Sequence, residues 1–296
     1  MLASHLTSQL AQLLPNETAR FAIAFSGGGD STALVHALKD HPQRGLVFIV
    51  DHALRSGSKA EAQAAKGFAQ NCGYDTQVLT WKNNDPKTGL QEKARRGRYG
   101  LMGEACRSHN IEYLLTAHNQ DDQAETLLMR YDKQTDWRGA AGISQLSYAP
   151  VWPELAKVNI YRPLLGVSRQ ELRDYNSAHN LVWVEDPSNE NRDFSRIRAR
   201  DYLKLRPALK ADLIETAQEL SKGVSWEHEN LRTELASVKF GPAGDMTFQS
   251  MPSIELLGLT LRCVGGGGAP IPRQRLAVLH HKLKTCLLYT SDAADE

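Results

Sequence analysis

Cysteine is scarce and unpaired in this chain: Cys72, Cys106, Cys263 and Cys286 are the only four, and no two of them stand in a CxxC spacing. That pattern excludes a disulfide-stapled scaffold and argues against a cysteine-built zinc or iron–sulfur site. Cys72, Cys106 and Cys263 are instead expected as buried apolar residues. Long apolar runs are missing as well. No stretch approaches the roughly 20 apolar residues of a membrane-spanning helix. Met1 to Leu14 has internal polar residues and no basic segment ahead of an apolar block, so a cytoplasmic chain with no membrane partner is expected. Nor does one charge dominate: 35 Lys and Arg face 34 Asp and Glu, and 41% of the 296 residues are hydrophobic. Such a composition excludes a disordered tail or a collagenous repeat. The length allows one large or two ordinary domains, each with its own core.

What the chain does have is alternation. Arg20 to Phe25 reads as a short apolar strand, Ser26 to Ser31 as a glycine-rich turn, and Thr32 to Lys39 as a helix. Gly45 to Val50 follows as a buried strand. Ser58 to Gln70 reads as a helix opened by a capping box of Ser58 with Glu61. Tyr74 to Leu79 is the next strand, Gln91 to Ser108 a long basic helix, Tyr113 to Ala117 a strand ending at His118, and Asp121 to Arg130 a helix. Strands alternating with helices predict an α/β fold: an open, parallel, twisted sheet covered by helices on both faces.

The periodic signal is weak from Gln134 to Asn159. Ile160 to Leu165 is expected as an edge strand, and Ser168 with Glu171 as a second capping box opening a helix to His179. Arg192 to Lys210 carries seven basic and two acidic residues at roughly helical spacing. After Pro207 the character changes to an acidic amphipathic stretch, Ala211 to Ala236, with no further strand–helix alternation. A boundary is therefore expected near residue 211, between a first domain over 1–210 and a smaller helical domain over 211–285. The last eleven residues, Cys286 to Glu296, can be back-translated to the transposon adapter used in sequencing libraries. They are expected as an adapter-derived tail on an N-terminal piece of a longer protein. Without the tail's Asp292, Asp295 and Glu296, 35 basic residues face 31 acidic ones, a balance of +4.

The strongest chemical signal is Ser26-Gly27-Gly28-Gly29-Asp30-Ser31, set between a buried strand and a helix. Glycines there let backbone N–H groups approach an anion, and the following helix turns its positive end to the same point. No lysine follows in Walker A spacing and nothing matches GxGxxG, so neither of those phosphate sites applies. The bland alternative is a tight strand–helix turn with Ser and Asp as caps. The six residues resemble the SGGxDS loop of the PP-loop ATPases, which cleave ATP between its α- and β-phosphates. That resemblance implies that Ser26, Gly27, Gly28, Gly29 and Ser31 hold the pyrophosphate, with Asp30 as the hard oxygen ligand of Mg²⁺.

Further motifs narrow the substrate. Val50-Asp51-His52-Ala53-Leu54-Arg55 follows the second strand, and Glu92 to Tyr99 (EKARRGRY) lies on the basic helix. Leu115 to Thr126 (LTAHNQDDQAET) joins the fourth strand to its helix; Arg162-Pro163-Leu164-Leu165 and Trp183 to Asn189 (WVEDPSN) come later. In this order the motifs resemble the tRNA(Ile)-lysidine synthetases, strongly over residues 15–210 and weakly over 211–285. Asp121, Asp122 and Glu125 could be acids favoured by a helix dipole, Arg98 a solvated charge, and Glu185-Asp186-Pro187 a turn. Yet Asp122 and Glu125 share a face by i,i+3 spacing, so with His118 they can enter one cleft.

The resemblance implies a ligase with Asp30, Arg98, His118, Asp122 and Glu125 as its catalytic group. Its substrates would be ATP with Mg²⁺, free L-lysine, and tRNA(Ile) bearing a CAU anticodon, whose wobble cytidine is adenylated and then converted to lysidine. A homodimer is left open. The alternatives are a tRNA cytidine or uridine thiolase of the same class, against which the lack of CxxC counts, and a catalytically inactive tRNA-binding module. The Arg192 to Lys210 segment could be a solvated face or a phosphate-backbone track. One departure stands out: the family's Arg-Gly-Ser-Gly loop after Met129-Arg130 is here Tyr131 to Gly139 (YDKQTDWRG).

Overall fold

The computed structural model describes residues 1–14, 16–51, 57–81, 90–132, 137–184, 195–265 and 271–285. Its frame is a six-stranded sheet in the order β3-β2-β1-β4-β6-β5. The strands are β1 (Phe21–Ala24), β2 (Arg44–Asp51), β3 (Asp75–Thr80), β4 (Tyr113–Leu115), β5 (Leu146–Tyr148) and β6 (Asn159–Tyr161). All pairings are parallel except β5 with β6. Helices α1 (Leu2–Leu13), α2 (Gly29–Ala37), α3 (Ser58–Asn71), α4 (Leu90–Ser108), α5 (Gln120–Tyr131), α6 (Trp137–Ala140), α7 (Arg169–Ala178) and α8 (Ser195–Lys204) accompany the sheet.

Period-two alternation divides the central strands between two cores. Phe21 and Ile23 of β1, with Val47 and Ile49 of β2, face Leu6, Leu10, Leu34 and Leu172. Ala22 and Phe48 point the other way, onto Tyr99, Met102 and Cys106 of α4 and onto Leu114 and Ile160. Burial on both faces is why these strands read as continuous apolar runs. Strand order reverses between β1 and β4, because the chain builds outward to β2 and β3 before crossing back. The carboxyl ends of β1 and β4 therefore diverge and leave a crevice.

Several local expectations need correction. The Ser58–Glu61 capping box does not form: Gly57, at φ 105°, is the N-cap of α3, which places Ser58 inside the helix. The second box is present, with Ser168 bonded reciprocally to Glu171. Helix α2 starts at Gly29, so Asp30 and Ser31 occupy its first turn and not the preceding loop. β6 is not an edge; the antiparallel β5, three residues in a stretch without periodicity, takes that place, and the chain turns away after Tyr161. β4 ends at Leu115, so His118 lies beyond the strand. Cys106 is buried as expected, but Cys72 is only partly buried and Cys263 is exposed in the last turn of its helix.

The chain forms two compact units, 1–221 and 222–296. The division falls within α9 (Pro207–Leu235), which begins where the composition changes and runs unbroken through residue 211. Pro207 suits a first helical turn, where its missing N–H has no partner to lose. The second unit continues with a hairpin of β7 (Lys239–Phe240) and β8 (Met246–Thr247), which the helical expectation did not include, then α10 (Ile254–Gly265) and α11 (Arg273–Lys284). Among the described residues no helix is long and apolar enough to cross a membrane.

Candidate active site

The crevice is a cleft of about 940 Å³ at the carboxyl edge of the sheet, near the upper end of the roughly 300–1,000 Å³ usual for small-molecule sites. Its floor is the turn after β1. Gly27 there has φ +80°, a left-handed conformation that side-chain-bearing residues avoid, and it brings the chain straight into α2. Ser26 Oγ lies 3.1 Å from Ser31 Oγ, and Ser31 Oγ donates to the Gly28 carbonyl at 2.9 Å. The first N–H groups of α2 have no partner within the helix and are available to an anion.

The facing wall follows β4. Thr116 Oγ1 and His118 Nδ1 share a hydrogen bond of 3.0 Å. Asn119 caps α5, accepting from Asp122 N at 3.1 Å, while Asp122 Oδ2 accepts from Asn119 N at 2.9 Å. The Asn119 amide then donates to Asp30 Oδ2 at 2.9 Å, tying the phosphate-type loop to the acid-bearing helix. Asn119 is fully buried, so losing this bond would strand polar atoms away from water.

Behind that wall a fork of cations gathers the carboxylates. Arg169, the first residue of α7, reaches Asp122 at 2.9 Å, Glu125 at 3.0 Å and Asp30 at 3.7 Å. Its backbone N–H donates to Asp121 Oδ2 at 2.9 Å, and the other Asp121 oxygen takes Lys210. From α8, Arg196 binds Glu125 at 2.9 Å and pairs with Asp122 at 3.1 Å. Arg200 Nε binds Glu125 at 2.7 Å.

These placements set protonation. Burial pushes the Asp30 carboxyl up to about 6, with Arg169 only partly opposing it. Burial also raises Asp122 despite Arg196. Glu125 ends below the ordinary range, because the bond from Arg200 and the charges of Arg169, Arg200 and Arg196 outweigh its burial. Burial, reinforced by Arg162, Arg196, Arg98 and Arg95, pushes His118 down to about 3, so its ring is neutral at physiological pH.

Of the residues singled out from sequence, Ser26, Gly28, Gly29, Asp30, Ser31, Arg98, His118 and Asp122 all line the cleft. Gly27 shapes the turn beneath it. Glu125 shares a face with Asp122 but sits one turn deeper, 2% exposed and enclosed by three guanidinium groups. His52 to Arg55 and Glu185 to Asn189 lie outside the described residues. Sequence reasoning missed Arg169, Arg196, Arg200 and the bridging role of Asn119. An arginine at the first position of α7 is itself a signal, since a helix N-terminus disfavours a cation unless acids surround it. Among the described residues Arg98, Arg169, Arg173, Arg196, Arg200 and Lys204 face the cleft against Asp30, Asp122 and Asp201, a positive excess suited to a polyanion.

Residues 2–207 match the PP-loop domain family. The chain is 35% identical to a tRNA(Ile)-lysidine synthase from Ruegeria pomeroyi, covering 94% of this chain and 67% of that protein. It is 36% identical to one from Hyphomonas neptunium, covering 84% and 70%. Among solved structures, a U34-tRNA thiolase with a [4Fe-4S] cluster from Methanococcus maripaludis superposes with a TM-score of 0.61 at 17% identity, covering 75% of this chain and 78% of that one. That likeness speaks to the fold alone. With its first 207 residues in the PP-loop domain and about two thirds of each synthase spanned, the chain belongs to the tRNA(Ile)-lysidine synthase family of PP-loop proteins.

Proposed function

We propose that the chain is a cytoplasmic ligase that joins lysine to C2 of the wobble cytidine in tRNA(Ile) with a CAU anticodon, consuming ATP. The observation that carries this reading is the bond from Asn119 to Asp30, which fixes an anion-binding loop against an acid-bearing helix inside one cationic cleft. The α2 amides, Ser26 and Ser31 would hold the pyrophosphate end of ATP, with the adenine against the apolar wall of Phe48, Tyr99 and Met102. Arg98 faces the α-phosphate.

The cytidine O2 attacks the α-phosphorus; the bond to the β-phosphate breaks, and pyrophosphate leaves with the electron pair. The lysine amine, having lost its proton, then adds to C2, and AMP departs with the C2–O electron pair. Cations fixed in a partly dry cleft stabilise the charge that develops, and holding both reactants there removes much of the entropic barrier. Asp122, which lines the cleft where Glu125 does not, is the acid that would orient the lysine amine by replacing Arg196 at Oδ1. His118 serves as a neutral hydrogen-bonding group.

Asp30 fits a divalent cation: its carboxylate is part-buried, one oxygen is held by Asn119, and its raised pKa marks an anion short of compensating charge. Mg²⁺ bound there would neutralise phosphate charge. Among the described residues no three His, Cys, Asp or Glu side chains gather as a metal cluster, so the remaining ligands would be phosphate oxygens and water.

Pyrophosphate release with unmodified tRNA and lysine, beside a lysine-free control, tests the reading. Lysidine in the tRNA is the expected product. Sulfur incorporation would replace the reading with a thiolase, although no cysteine lines the cleft among the described residues; tRNA binding without turnover would replace it with an inactive module.

A further inference from the structure

Among the described residues four six-membered or indole rings reach the cleft, and they fall into two groups. All of Phe25, Phe48 and Tyr99 are buried, Phe48 and Tyr99 in the core under α4 and Phe25 in the core on the other face of the sheet. Trp183 arrives from the segment after α7 and is only partly buried. A Cβ built on Gly29 would lie 3.3 Å from both Cδ1 and Nε1 of Trp183 and 3.5 Å from Cε2. Near-equal distances to three consecutive ring atoms place Gly29 under the face of the pyrrole ring, because an approach to the edge would leave the flanking atoms farther away. The indole therefore lies flat on the first residue of α2, beside the anion-binding loop.

Its pose is fixed on both sides by backbone-anchored bonds. Val184 N donates to the Gly27 carbonyl at 3.0 Å. Asn176, fully buried, donates from its side-chain amide to the Gly29 carbonyl at 2.9 Å, and its main-chain carbonyl accepts from Leu181 N, also at 2.9 Å. A platform held this way loses little freedom when a ligand settles on it.

The two faces of the sheet decide which ligand that is. α4 covers one face, its Tyr99 and Met102 packing with Phe48, whereas α7 packs on α2 over the other, where Leu172 meets Leu34. A nucleotide whose phosphates rest on α2 can place its own base on one side only, and the apolar wall suits a buried adenine. Trp183 follows α7, which packs on α2 and whose Arg169 pairs with Asp122, so it stands at the α2–α7 part of the cleft, where the second reactant must approach.

We infer that Trp183 is the stacking platform for the target pyrimidine base of the RNA, a specificity-determining contact that rests on the function proposed above. Base–aromatic stacking contributes about 1–3 kcal/mol per base, or roughly 5- to 150-fold in affinity.

The test is a coupling measurement on the full chain. Dissociation constants are measured for an anticodon stem-loop RNA with the wobble cytosine, for the same RNA with an abasic ribose at that position, and for ATP, using wild type, Trp183→Ala and Trp183→Phe. Trp183→Ala should weaken the cytosine RNA about tenfold and leave the abasic RNA and ATP unchanged within about twofold, and Trp183→Phe should restore most of the loss. Equal loss on both RNAs, a comparable loss of ATP affinity, or a wild type that binds the two RNAs equally would each overturn the inference. Pyrophosphate release by the wild type with tRNA and lysine is scored separately, so failure of the ligase reading and failure of the stacking contact give different results.

Discussion

Replacing Glu125 by Gln removes the one carboxylate that Arg169, Arg196 and Arg200 share, without changing side-chain volume. The consequences differ among the three. Arg169 keeps Asp122 and Asp30, and Arg196 keeps Asp122. Arg200 makes both of its side-chain hydrogen bonds to Glu125 and loses its carboxylate outright. Breaking a fully buried ion pair costs about 3–5 kcal/mol. Here the Arg200 and Arg196 side chains are 33% and 39% exposed and can turn partly to water, which lowers the expected loss to about 2–3 kcal/mol. For a unit of this size that is a melting shift of about 4–12 °C.

The pH dependence has a defined sign. Glu125 is depressed below its ordinary 4.5 in the folded chain, so its contribution is present above that value and disappears as pH falls through the folded one. Urea unfolding of wild type and Glu125→Gln, followed by circular dichroism at pH 7 and again at pH 4, measures both quantities. A difference below about 0.5 kcal/mol at pH 7, the scatter of ordinary surface substitutions, would refute the three-guanidinium account. So would a difference that grows on acidification.

Asp30→Asn should lower pyrophosphate release at least about 100-fold, the scale of losing one charge-stabilising group, yet raise stability in Mg²⁺-free buffer. An acid whose folded pKa is raised from 3.8 to about 6 makes the fold less stable as pH climbs through that window, by at most about 3 kcal/mol. The gain should therefore appear at pH 8 and vanish below about pH 4; no gain in urea unfolding at pH 8 would contradict it. The His118 ring, held down to about 3, should keep neutral carbon shifts in NMR spectra at pH 5, and a protonated signal there would show that its burial has been misjudged. Gly29→Val should cut pyrophosphate release more than about tenfold, because a branched side chain meets the Trp183 face where even a Cβ lies at 3.3 Å. Wild-type turnover by that variant would mean that the indole moves aside freely.

The parallel sheet was legible because strands buried on both faces, such as Gly45 to Val50, leave an apolar run bounded by turn residues. The anion-binding loop was legible because glycine, serine and aspartate answer to local geometry. β5 was not, since three residues with one partner strand carry no period. The i,i+3 rule put Asp122 and Glu125 on one face but could not say that one meets the cleft and the other lies a turn below it. The Arg169 fork escaped because Asp121, Asp122 and Glu125 are 44 to 48 residues away in the chain and Asp30 farther still, a separation closed only by the fold, which packs α7 on α2 and brings its first residue to the start of α5. The Ser58 box failed for a different reason: Gly57 already supplies a left-handed cap one residue earlier.

Arg130 ties the far end of α5 to two main-chain carbonyls. Its Nη1 donates at 2.6 Å to both Gly139 O and Gly142 O, and Gly142, at φ +74° with Gln123 Oε1 crowding the place a Cβ would take, is a position that only glycine fills without strain. A change at position 142 would therefore reach α5 at two places, its last turn through Arg130 and its first turn through Gln123, whose side-chain amide is bonded to both the N–H and the carbonyl of Ile143.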